Sequence, residues 1–231
     1  MARVIAALIR HGDYHQLADT PSAHQPFALT AKGLAQASDL AILINTFCTT
    51  RGCQINPVIA TSKLLRAWQT AKQLTTALNN PGIQIHEYTD LAERCVGSVA
   101  NLSVTQIREL IRLDPRLDDL PKDWKSNSHY CLPFQGAESL LDAGKRVATL
   151  LRAEMQPLKP HSQSDQLKIF VGHGAAFRHA AYHLGIINYE QIALLSMFHC
   201  QPVFIEYTGN GNWQHIGGEW KIRNAHSQFT D

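Results

Sequence analysis

Apolar and polar positions follow two rhythms along this chain. Unbroken apolar runs at 4–9 and 167–171 have the length and aliphatic character of strands buried on both faces. Elsewhere apolar residues recur every three or four positions, as on a helix with one buried face. Thr30 can cap one such helix, with Leu34, Ala37, Ala41, Ile44 and Cys48 on a shared face. Residues 57–60 predict a short buried strand, and 63–78 a helix with Leu64, Ala67, Trp68, Ala71, Leu74 and Leu78 inward, stopped by Asn79-Asn80-Pro81-Gly82. Residues 83–87 read as a strand. Ser103 and Gln106 have capping-box spacing, for a helix to about Leu113 before Asp114-Pro115.

The second half repeats the pattern. Residues 137–155 predict a helix with Leu140, Gly144, Val147 and Leu151 in line, its start capped or buttressed by Glu138 and Ser139. A loop through Pro157 and Pro160 returns to the 167–171 strand, and 175–184 form the next helix. Residues 203–208 and 213–216, separated by Gly209-Asn210-Gly211-Asn212, predict a terminal hairpin against which Trp213, His215 and Trp220 pack. Strand-then-helix alternation predicts an α/β fold: a three-layer α/β/α sandwich with a mostly parallel central sheet. Two polar, proline-bearing stretches, 13–28 and 114–135, interrupt the rhythm as long loops. No repeat or linker divides the chain, so 1–231 reads as a single domain.

Composition narrows the class. With 45% hydrophobic residues, 17% charged residues and a formal net charge of +2, the chain has neither the basic footprint of a nucleic-acid binder nor the composition of a disordered one. Five cysteines without a CxxC pair leave one thiol unpaired in any monomer, which favours a reducing, cytoplasmic compartment. The apolar start is too short for a signal peptide and is interrupted by Arg10-His11, and no stretch is long enough to span a bilayer, so no membrane partner is expected.

The chemistry lies at the ends of the two clearest strands. The first runs into Arg10-His11-Gly12, and the second, about 160 residues on, into Gly172-His173-Gly174. Ligands of open α/β sheets sit at the carboxyl ends of strands, so two imidazoles and an arginine can meet there. That set suits a phosphoryl group, whose negative charge must be neutralised before a nucleophile can approach.

The intervening chain carries further ordered strings: Leu29-Thr30 with Gly33, Thr61-Ser62-Lys63-Leu64-Leu65-Arg66-Ala67 with Thr70-Ala71, Leu91-Ala92-Glu93-Arg94, and Gly136-Ala137-Glu138-Ser139-Leu140 with Arg146-Val147. In this order they resemble the histidine phosphatase superfamily (branch 1, phosphoglycerate mutase-like), over roughly residues 3 to 210. The resemblance implies a metal-independent phosphomonoester hydrolase of the histidine acid phosphatase type, with no cofactor and a small phosphorylated substrate. It makes His11 the nucleophile of a phosphohistidine intermediate. Arg10 and Arg66 bind phosphate, and His173 and the helix start at Gly174 donate to the transferring group. Glu93 becomes the acid that protonates the leaving group and then activates water. Glu87 and Glu138 are alternatives for that acid, and Glu93 also has the option of merely pairing with Arg94.

Other residues are weighed in the same way. His179 and His183, at i, i+4, have the spacing of two metal ligands, but without a third partner at motif spacing they read as core and surface residues. Arg178 matches an arginine of the family's second histidine string and has a structural reading as well. Mutases of the family resemble one another in residues that here are Leu17, Val96 and Ala175, and in a run of adjacent basic residues with no counterpart in 114–135. These departures favour phosphate release over a phosphoglycerate mutase-type phosphotransferase. Tyr14 and His15 after Arg10-His11 are similar to a phosphoprotein phosphatase branch, which keeps a protein substrate open. A non-catalytic phospholigand-binding protein would not need the nucleophile. The sequence is compatible with a monomer and with a homodimer.

Overall fold

A computed structural model of the chain describes residues 2–158 and 164–223, so the expected loop position Pro160 lies outside the described residues. Its strands are β1 (Val4–Arg10), β2 (Gln54–Ser62), β3 (Gln84–Tyr88), β4 (Gln166–Gly172), β5 (Leu195–Ser196), β6 (Val203–Gly209), β7 (Asn212–Gly217) and β8 (Lys221–Ile222). The helices are α1 (Ala31–Arg51), α2 (Leu65–Leu78), α3 (Val104–Leu113), α4 (Leu140–Met155), α5 (Gly174–His183) and α6 (Tyr189–Leu194). The main sheet has the order β3-β2-β4-β1-β6-β7. Its first four strands are parallel, and β6 and β7 extend it through antiparallel pairs.

Side-chain alternation on β1 separates two cores. Val4, Ala6 and Leu8 pack with α4 and α5, and Ile5, Ala7 and Ile9 with α1 and α2, which gives the α/β/α sandwich expected from the sequence. The hairpin forms, with Trp213 buried against Tyr207 at 5.1 Å between ring centroids. Thr30 caps α1, and Ser103 and Gln106 form the capping box of α3.

Several boundaries and one helix face differ from expectation. β2 begins at Gln54, three residues earlier than expected, because Gln54 and Ile55 already pair with β4 before a register shift that accommodates Pro57. α2 starts at Leu65 rather than 63. α4 starts at Leu140 rather than 137, because Ser139 is its N-cap, in a capping box with Asp142. On α1 the inward face is set by Ala37, Leu40, Ala41 and Ile44, while Leu34 is 41% exposed. The short α6 and the small β5-β8 sheet were not expected, although Asn188 and Gln191 form a capping box like that at Ser103.

The long loops are not passive. Ala23 of the first and Trp124 and Leu132 of the second join Val96, Val99 and helix α3 in a third apolar cluster. That cluster lies beside the carboxyl ends of the central strands through Glu93 and Arg94, which precede Val96.

Candidate active site

β1 and β4 are adjacent, parallel and in register, with Arg10 beside Gly172. The next residue on each is a histidine, so the register alone places His11 beside His173. Their ring centroids are 5.1 Å apart, and the His11 N–H donates to the Gly172 carbonyl at 3.0 Å. Gly12 is required by close packing: a Cβ there would collide with the Gly33 carbonyl at the start of α1.

β2 and α2 deliver the third side of the site. Ser62, the last residue of β2, shares a hydrogen bond with His173 Nε2 at 3.0 Å. Arg66, in the first turn of α2, donates from Nε to His11 Nε2 at 3.1 Å. Its Nη1 donates to the Gln25 carbonyl at 2.9 Å, and its Nη2 to the Ala23 and Ser22 carbonyls at 2.8 and 3.4 Å. Both terminal nitrogens of Arg66 thus bind the 13–28 loop, and Nε faces the imidazole. Arg10 donates from Nη1 to the Met197 carbonyl at 3.0 Å, and Gly174 packs against its side chain so closely that a Cβ would crowd it.

The tautomer of His11 follows from its partners. Nδ1 lies 2.8 Å from the Gly12 carbonyl, which only accepts, so Nδ1 carries the proton. Arg66 Nε only donates, so Nε2 presents its lone pair. His11 is 2% exposed, and its pKa is held well below the usual histidine value, first by burial and then by Arg66, His173, Arg10 and His199. His173 is held down in the same direction by burial, then Arg66, His24, Arg10 and Arg146. Its Nδ1 is buried and has no hydrogen-bond partner among the described residues.

Glu93 reaches the same place from a loop following a turn of 3-10 helix (Thr89–Leu91). Its Oε1 accepts the N–H groups of Arg94 and Ala176 at 2.9 and 3.1 Å, and its Oε2 that of Ala175 at 3.3 Å. The helix start at Gly174 was expected to face an anionic ligand, and the next two N–H groups, of Ala175 and Ala176, hold the Glu93 carboxyl group. Glu87 lies on edge strand β3, and Glu138 pairs with Arg146 at 2.6 Å, so neither competes for Glu93's position. His24 of the first loop hydrogen-bonds the Glu93 carbonyl at 3.0 Å.

Two site neighbours were missed. His199, before β6, donates from Nδ1 to the His11 carbonyl at 2.6 Å, with ring centroids 5.3 Å apart. Tyr14, noted only for a likeness, stands edge-on to His11 at 5.2 Å, and the Arg66 guanidinium carbon lies 4.6 Å from its ring centroid. A lone histidine outside any motif gives no signal, whereas Tyr14 lies three residues from the nucleophile candidate. His179 is buried, bonded to Ser128 and to the Ala175 carbonyl, and His183 bonds the Leu141 carbonyl. Among the described residues no group of three or more His, Cys, Asp or Glu is placed to hold a metal.

Next to Glu93 lies a narrow cleft of about 30 Å3, bounded also by Ser22, Arg94, Lys125, Arg178 and Arg223. No helix among the described residues is long and apolar enough to cross a membrane.

A central, mostly parallel sheet whose adjacent strands end in two buried imidazoles, flanked by two arginines and a tethered carboxylate, defines an α/β protein of the phosphoglycerate mutase-like class. The chain belongs to the histidine phosphatase superfamily (branch 1), whose family model matches residues 6–216. It is 24% identical over 213 residues to the 2,3-bisphosphoglycerate-dependent phosphoglycerate mutase 2 of Gloeobacter violaceus, covering 92% of this chain and 90% of the relative. In structure it is similar to a mycobacterial glucosyl-3-phosphoglycerate phosphatase, with a TM-score of 0.68, 21% identity and coverage of 97% and 99%. It is likewise similar to the alpha-ribazole phosphatase of Shigella flexneri, with a TM-score of 0.67, 18% identity and coverage of 92% and 94%.

Proposed function

We propose that the chain is a metal-independent phosphomonoester hydrolase that works through a phosphohistidine on His11 and acts on a small phosphorylated substrate in the cytoplasm. The observation that carries this reading is the fixed tautomer of His11: a neutral imidazole whose Nε2 lone pair is presented beside Arg66 and His173. Such a nitrogen is nucleophilic at neutral pH without first losing a proton.

Nε2 attacks phosphorus and the ester P–O bond breaks. Arg10 and Arg66 offset the charge on the phosphoryl oxygens, Arg66 through Nε. The orphaned His173 Nδ1 gains a phosphoryl oxygen as partner, with the Gly174 backbone alongside. Glu93 gives its proton to the departing alkoxide and takes one from the water that then attacks the phosphohistidine. Phosphate leaves and His11 returns to its starting state.

The positions where this chain departs from mutases support hydrolysis. Val96 is buried in the apolar cluster under the second loop, and Leu17 is tied through its N–H to Gln25. Ala175 contributes a backbone donor to Glu93 and no polar side chain. The test is rapid quench with labelled substrate, which should trap a phosphoenzyme that is stable to alkali and lost in acid. His11→Ala should abolish it, and wild-type labelling of that variant would refute the proposal.

A further inference from the structure

Arg10 and His11 leave the sheet at the end of β1, and a segment distant in sequence closes over that end. His199 is bridged to Arg10 in the parallel sense, and the chain then reverses, so that β6 runs antiparallel to β1 from Val203 opposite Leu8. The reversal passes through Cys200, which is buried and left-handed at φ 53°. That conformation costs a residue other than glycine about 1–2 kcal/mol and persists only where packing holds it. Three hydrogen bonds tie the segment to β1. The Cys200 N–H donates to the Arg10 carbonyl at 2.9 Å, Arg10 Nη1 to the Met197 carbonyl at 3.0 Å, and His199 Nδ1 to the His11 carbonyl at 2.6 Å. Of the three, only the last uses a side chain of the segment.

The His199 bond falls on the peptide that joins His11 to Gly12. That unit is planar but turns as a whole about its ends, and the glycine that follows gives it the widest range. Hydrogen bonds fix its tilt: the carbonyl accepts from His199, and the N–H donates to Thr70 Oγ1 at 3.0 Å. The tilt in turn sets where the Gly12 carbonyl lies, and that carbonyl accepts the His11 Nδ1 proton at 2.8 Å. The same bond leaves the lone pair on Nε2. Contacts therefore run without a gap from His199, through the His11–Gly12 peptide, to the attacking nitrogen.

We propose that His199 is a positioning residue for the nucleophile: its Nδ1–H pins the His11–Gly12 peptide and so holds the His11 ring in the orientation and tautomer that attack requires. The kinetic part of this rests on the hydrolase reading, whereas the state of the His11 ring is readable without turnover. A histidine that only stabilised the segment would lower the unfolding midpoint and leave the chemical step alone.

Three variants separate the donor from the packing. His199→Leu removes the donor, His199→Phe removes it while keeping a ring, and His199→Asn keeps an N–H donor bonded to Cγ, as in imidazole Nδ1. Whichever of the first two folds should form phosphoenzyme about ten- to a hundredfold more slowly in rapid quench, the cost of a small misplacement of a reacting group. The loss should be equal on alkyl and nitrophenyl phosphates, since attack rather than proton delivery is slowed. Inhibition by inorganic phosphate should stay within about threefold of wild type, because Arg66 and His173 keep their contacts. His199→Asn should recover most of the rate. Nitrogen NMR of His11 should show the proton on Nδ1 in the wild type and in His199→Asn, and a mixture of tautomers without the donor. Phosphoenzyme formation at the wild-type rate without the donor, or a loss that His199→Asn does not recover, would overturn the proposal and leave the hydrolase reading standing. If the wild type forms no phosphoenzyme, the hydrolase reading fails and the NMR decides: tautomers mixed only when the donor is gone uphold the positioning role, and an unchanged signal overturns it.

Discussion

His11, His173 and His179 are folded into surroundings that keep their imidazoles neutral, and this makes stability depend on pH in a calculable way. Burial is the first cause for all three. For His179, burial and Arg178 pull the value down to about 3 against the opposing hydrogen bond to Ala175. In the unfolded chain each returns to about 6.5. For a depressed histidine, stability is fully present above the unfolded value and is lost as pH falls from it toward the folded value. The slope approaches about 1.4 kcal/mol per pH unit for each proton that only the unfolded state binds. For His179, whose folded value lies far below this window, the loss between pH 6.5 and 5.0 integrates to about 2 kcal/mol, and His11 and His173 act in the same direction. One such group is already a sizeable part of the stability of many domains, about 5–15 kcal/mol. The depressed carboxyls of Asp142 and Glu154 act at lower pH, because their unfolded values are near 4. Urea unfolding at both pH values and fixed ionic strength should show the loss. Calorimetry in buffers of different ionisation enthalpy at pH 5.0 should show proton uptake on unfolding, reduced in His11→Asn. Stability equal at the two pH values within about 1 kcal/mol, or uptake unchanged by His11→Asn, would refute the reasoning.

Other outcomes follow from single contacts. Glu93→Gln should slow alkyl phosphates by roughly a hundredfold or more and nitrophenyl phosphate much less, since nitrophenolate leaves without a proton; equal losses on both would make Glu93 structural. Tyr14→Leu removes the ring beneath Arg66 and should weaken competitive inhibition by inorganic phosphate about tenfold, with Tyr14→Phe close to wild type, as an inhibition series would show. A Cβ at Gly144 would overlap His179, so Gly144→Ala should cost about 1–3 kcal/mol in denaturant unfolding by forcing α4 from α5. Hydrolysis of an aryl phosphate should persist in excess chelator, and loss restored by a divalent metal would contradict the metal-independent reading. With 3-phosphoglycerate and catalytic 2,3-bisphosphoglycerate, little 2-phosphoglycerate should form. Isomerisation outrunning phosphate release from every ester by a hundredfold or more would establish the mutase reading instead.

The sandwich and the pairing of His11 with His173 were legible because both depend on local signals. The runs at 4–9 and 167–171 mark buried strands, and each stops at histidine and glycine. Their adjacency needs the tertiary register of β1 on β4, which the ordered family strings supplied and apolar patterning alone did not. Boundaries slipped where local chemistry competes: Ser139 starts α4 later than its apolar face suggests, and Pro57 is absorbed by a register shift inside β2. The short α6, the β5-β8 pair and His199 carry little periodicity, and tertiary contacts decide their place.

The N-terminus of α5 shows how a correct local inference can have the wrong occupant. Free N–H groups at a helix start favour an acidic oxygen, and Ala175 and Ala176 do bind such oxygens, but they belong to the carboxyl group of Glu93, delivered from another loop. This ties Glu93 to the helix that begins directly after His173, so the proposed acid and the phosphoryl donor are positioned by one rigid element. In the proposed mechanism, charge neutralisation at the phosphoryl group then falls to Arg10, Arg66, His173 and the Gly174 backbone, because the Ala175 and Ala176 donors are already used.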